Sequence, residues 1–88
     1  MSKVQLSERD IYEGARNLEI LRQIIAGHQH SKIRIAGKTC TVDAQTANAL
    51  VTVHDALGIK NQVTFVGFLA HSTGTFHAMV DFSWKQVA

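Results

Sequence analysis

One stretch of this chain leaves few structural alternatives. In Lys32-Ile33-Arg34-Ile35, apolar and cationic side chains alternate with a period of two. That is the spacing of a strand with one face turned inward. Ala36-Gly37-Lys38-Thr39 follows, and Cys40-Thr41-Val42 restores the alternation. A two-residue turn at Gly37-Lys38, glycine first, suits a type II′ hairpin. This register sets Ile35 opposite Cys40 and Ile33 opposite Val42. All four then share one face, and Lys32, Arg34, Thr39 and Thr41 share the other. Cys40 is accordingly a shielded small hydrophobe rather than an exposed nucleophile.

Helices flank this hairpin. Ser7 is placed as an N-cap with Asp10 as its capping-box partner, and Leu6 with Ile11 as a hydrophobic staple. Ile11, Ala15, Leu18, Leu21 and Ile25 form a stripe at helical spacing, and Gly27 ends it. Gly14 lies beside the stripe, where close packing against another element would justify it. After the hairpin, Asp43 caps a second helix. Its stripe is Ala47, Leu50, Val51, His54 and Leu57, with Gly58 as a left-handed stop and Ile59 as the accompanying apolar contact.

Residues 59–88 are apolar and rich in Val, Thr and Phe. Residues 63–70 and 75–84, separated by His71-Ser72-Thr73-Gly74, read as a second hairpin. In that register Val63, Phe65, Leu69, Phe76, Val80, Phe82 and Trp84 face inward. The expected fold is α+β: a two-layer αββαββ arrangement, a four-stranded, mainly antiparallel sheet with two helices packed on one face. The 88 residues make a single domain, with residues 1–5 as a short flexible arm.

Composition narrows the class of function. Charged residues are only 18% of the chain against 45% apolar, below the roughly 25% charge of an average domain. A surface poor in charge favours association. The single cysteine builds no disulfide framework, no segment has the form of a secretory leader, and the apolar runs fall short of the ~20 residues that cross a bilayer. A cytoplasmic protein that does not engage the membrane is expected.

The residues with chemical potential mostly have plain structural roles. His28-Gln29-His30 lacks the further ligands a zinc site needs, so no metal is expected. Gly37-Lys38-Thr39 sits in a turn and has no upstream glycine, so it is not a phosphate-binding loop. His54 interrupts the apolar stripe of the second helix and reads as a core histidine that hydrogen-bonds, or as one at an interface. His77 and Asp81 share the outer face of the last strand, but no nucleophile completes a relay. No catalytic residue and no cofactor are assigned.

Two kinds of partner remain. On the outer face of the second hairpin Val66 opposes Met79 and Phe68 opposes His77, while Ile20 and Ile24 lie across the first helix from its stripe. Clustered exposed hydrophobes mark contacts. The leading expectation is therefore a non-catalytic accessory protein that self-associates as a homodimer or binds another protein. The alternative is a nucleic-acid-associated protein that uses Arg22, Lys32, Arg34 and Lys38 on and beside the basic hairpin. No aromatic side chain is interleaved with those cations in the sequence. A small enzyme or ligand-binding domain using His54, or His77 with Asp81, ranks third.

Overall fold

The computed structural model describes residues 5–87, so residues 1–4 of the expected N-terminal arm lie outside the described residues. The order is α1 (Glu8–Gly27), β1 (Ser31–Ile35), β2 (Lys38–Val42), α2 (Ala44–Ala56), α3 (Ile59–His71) and α4 (Thr73–Val87). The expected four-stranded sheet is not what forms. Among the described residues there are four helices and one two-stranded antiparallel sheet.

The first half follows its local signals. Ser7 Oγ accepts from the Asp10 N–H and Asp10 Oδ2 accepts from the Ser7 N–H, each at 3.1 Å, which closes the capping box of α1. Past Gly27, His28 takes the left-handed conformation at φ 53°, and its N–H meets the carbonyls of Ile24 and Ile25. Asp43 Oδ1 caps α2 by accepting from the Thr46 N–H at 2.7 Å.

In the hairpin, Ile33 faces Cys40, Ile35 faces Lys38 and Ser31 faces Val42. The turn is Ala36-Gly37, with φ 50° and 81°. Positive φ at both central residues makes it type I′, so the turn lies one position earlier than the expected Gly37-Lys38 and the cross-strand partners shift by two. A slip of two preserves the parity of side chains. Ile33, Ile35 and Val42 are consequently still buried, and Cys40 is half-buried on the same face. Lys38, now paired with Ile35, falls on the opposite parity from Lys32 and Arg34.

The second hairpin is overturned. In α3, Gln62, Phe65, Val66, Leu69 and Ala70 recur at helical spacing, and the last four of these are buried. Gly58 has φ −69° and stands before α3 as its N-cap rather than as a left-handed stop for α2. The expected turn at residues 71–74 is a joint between helices. Ser72 Oγ accepts from the Thr75 N–H at 3.0 Å and Thr75 Oγ1 accepts from the Ser72 N–H at 3.1 Å, a reciprocal cap on α4. Strand preference in a Val-, Thr- and Phe-rich run reflects burial on a pleated surface more than the backbone itself. Here helical packing supplies the burial. Phe65, Leu69 and Phe76 do enter the core, but Val63, Phe82 and Trp84 are exposed.

The core gathers Leu21 and Ile24 of α1, Ile33 and Ile35 of β1, Leu50 and Val53 of α2, and Phe65, Leu69 and Phe76 of the last two helices. α1 packs chiefly on α3 and then on α2, α4 covers α2 and α3, and β1 rests on α1 and α3. The α1–α3 crossing is tight because two glycines face it. A side chain at Gly14 would overlap the Val66 carbonyl, and Leu6 fills the space above Gly67. This close approach turns Gly14 and Asn17 inward with Leu21 and Ile24, and leaves Ala15 of the expected stripe exposed. No helix among the described residues is long and apolar enough to cross a membrane.

Candidate functional site

The α1–α3 crossing sets which face of α1 looks toward the hairpin. Arg9, Tyr12, Glu13, Arg16 and Ile20 recur at three- and four-residue intervals, so they line one side of the helix. Lys32 and Arg34 project from β1 by its period of two. Together with Asn17 and Gly37 these residues enclose a groove of about 370 Å³. Asn17 is the pin between its two walls. Its buried amide donates to the Arg34 carbonyl at 2.8 Å and to the Leu69 carbonyl at 3.1 Å, tying β1 to α1 and α3.

The groove is strongly cationic. Four cations line it against one carboxylate, and that carboxylate is engaged: Arg9 Nε donates to Glu13 Oε1 at 3.2 Å. Arg16, Lys32 and Arg34 have no ion-pair partner among the described residues. Tyr12, 65% exposed, stands among them. The interleaved aromatic that the linear sequence lacks is therefore supplied by the fold.

The remaining basic residues go elsewhere. Arg22 reaches α2 and grips Asp55 through both guanidinium nitrogens, at 2.7 and 3.1 Å. His54 Nδ1 lies 2.9 Å from the same carboxylate, and the His54 ring packs 6.1 Å from that of Phe65. The Arg22 guanidinium first, and the His54 hydrogen bond second, hold the Asp55 carboxyl down at about 2. His54 is thus a hydrogen-bonded residue at the edge of the core. Lys38 is exposed at the turn and does not line the groove.

The other assigned residues are dispersed. Val66 and Ile24 are buried, at 7% and 3% exposure. Phe68, Met79 and Ile20 are half-buried, with Met79 and Ile20 packed against the core. His77 alone of those six is exposed, and the sheet face on which four of them were to meet does not form, because α3 and α4 are helices. His77 and Asp81 are both exposed on α4, with no hydrogen bond or ion pair between them among the described residues, while Ser83 is fully buried. No group of three or more potential metal ligands occurs among the described residues.

The chain matches no protein-family model, no curated protein and no solved structure in these comparisons.

Arg9, Tyr12, Glu13, Arg16 and Asn17 line the groove without standing out in the linear sequence. A signal for them exists in the spacing: Arg9 and Arg16 are two helical turns apart on one face, with Tyr12 between them. Reading charge along the chain rather than around the helix hides it.

Proposed function

We propose that this chain is a non-catalytic binding protein that holds nucleic acid by its phosphate backbone in the groove between α1 and β1. One observation carries the reading: Arg16, Lys32 and Arg34, free of carboxylate partners among the described residues, converge with exposed Tyr12 in one concavity. Cations placed in a low-lying groove attract a polyanion and release its counterions on contact. Asn17 supports the arrangement by fixing the backbone at Arg34. The single cysteine suits a reducing compartment, and we place the protein in the cytoplasm.

The test is fluorescence anisotropy with labelled oligothymidylate, and with its duplex, over a range of salt. Three phosphate contacts to a single strand give a slope of log affinity on log salt near −2, at about −0.7 per contact. Replacing Arg16, Lys32 and Arg34 together with Gln flattens that slope. No binding of either form at low salt, or unchanged binding by the triple variant, refutes the reading.

Self-association is a second reading, and it rests on another surface. Ile59 is 79% exposed, and Val63, Phe82, Trp84 and Val87 are also open to solvent. Trp84 and Val87 line a shallow hollow with Gln45, Asn48 and Ala49. Large exposed hydrophobes of this kind favour a homodimer or a protein partner. Sedimentation of the wild type beside a Trp84→Asp variant tests it; a wild type that stays monomeric at high concentration removes self-association.

A further inference from the structure

We infer that the groove takes a single strand rather than a duplex, with a base stacked on Tyr12 and the flanking phosphates on Arg16, Lys32 and Arg34. This rests on the nucleic-acid reading above and specifies its ligand. Three observations argue for it.

The first is shape. Duplex readers present a convex element, a helix or a two-stranded ribbon, that enters a major groove about 12 Å wide. The hairpin here is such a ribbon, but its apolar face is laid on α1 and α3, and Lys32 and Arg34 look into the concavity beside α1. The cations therefore line a receptacle and do not project from a wedge.

The second is size. About 370 Å³ lies at the small end of clefts that hold small-molecule ligands and cofactors, about 300–1,000 Å³. A splayed nucleotide enters such a space, and a base-paired helix does not. The third is the aromatic platform. A tyrosine 65% exposed among cations has the combination by which single strands are held: backbone charges neutralised in a groove and a base stacked on a ring. Stacking is tolerant of base identity, so the site has little sequence preference.

The experiment compares oligothymidylate with its duplex on the wild type, Tyr12→Ala and Tyr12→Phe. It is joined by a proton NMR titration of the wild type that follows the Tyr12 ring. Tyr12 is exposed, so neither substitution disturbs the core. The expected result is tighter binding of the single strand and upfield displacement of the Tyr12 ring signals on titration. Tyr12→Ala then loses about tenfold or more in single-strand affinity, while Tyr12→Phe, which still stacks, stays near wild type. Equal affinity for strand and duplex, with unmoved Tyr12 signals and an unaffected Tyr12→Ala variant, overturns the single-strand assignment and leaves the basic groove standing. Failure of the wild type to bind either form at low salt overturns both.

Discussion

Replacing Gly14 with Ala sets two opposed effects against each other, and the geometry decides between them. On an open helix surface the change stabilises by about 1 kcal/mol, because Ala is the better helix former. At Gly14 the new methyl would lie 2.7 Å from the Val66 carbonyl carbon, overlap its oxygen, and meet Val66 Cγ1 at 3.0 Å. Ordinary contacts of a Cβ begin near 3.4 Å. The obstacle is backbone, so no rotamer change relieves it, and α1 and α3 must part. Parting strains the bond from Asn17 to the Leu69 carbonyl, one turn further along α3. Overpacking costs about 1–3 kcal/mol, and a buried carbonyl left without its donor costs about 1–3 kcal/mol more. The balance is a loss of about 1–5 kcal/mol, a large part of the 5–15 kcal/mol typical of a domain.

Gly27→Ala provides the internal control, since nothing lies within 4 Å of a side chain there. It should be neutral or stabilising by up to about 1 kcal/mol. Urea denaturation followed by circular dichroism reads both. Gly14→Ala should lower the midpoint by roughly 1–5 M, given a slope near 1 kcal/mol per M for a small domain, and Gly27→Ala should leave it level or raise it. A Gly14→Ala protein as stable as the wild type, with an unchanged slope, would refute the close backbone crossing.

The Arg22–Asp55 pair makes a pH-dependent contribution. The folded carboxyl is depressed to about 2 from an ordinary 3.8, so its contribution is present above the ordinary value and fades as pH falls toward 2. Both side chains are more than 40% exposed, and solvent screening keeps the pair to about 1 kcal/mol or less. A double-mutant cycle of Arg22→Gln and Asp55→Asn should show that coupling at neutral pH and little of it near pH 2. Ala36→Asn should stabilise, because Ala36 holds φ 50° in a type I′ turn that prefers Asn-Gly. A gain of about 0.5 kcal/mol raises the melting temperature by about 2–4 °C, and an unchanged melt would count against the turn assignment.

What could be read in advance divides along a physical line. Ser7 with Asp10, and Asp43 before α2, are signals completed within a few residues by side chain-to-backbone hydrogen bonds, so sequence suffices for them. The hairpin faces were legible too, but its register was not, because Ile33, Ile35, Cys40 and Val42 share a face under either pairing. Residues 63–70 are nearly continuous in apolar character and satisfy both periods. Ser72 and Thr75 serve a turn or a helix cap equally well until the chain beyond them is placed. The site divides in the same way. Lys32 and Arg34 could be assigned to a solvent face from alternation alone. Arg9, Tyr12 and Arg16 could not, since their direction depends on how α1 is rotated about its axis. That rotation is set by the contact of Gly14 with Val66 and by the hold of Asn17 on Leu69 and Arg34. The residues that close the α1–α3 crossing therefore also aim the cations of α1 at those of β1. A Gly14→Ala protein that still folds should lose affinity for oligothymidylate although no groove side chain has changed. The matched loss of stability and binding in that variant, against neither in Gly27→Ala, would tie the groove to the crossing; a Gly14→Ala protein that is destabilised yet binds as tightly as the wild type would separate them.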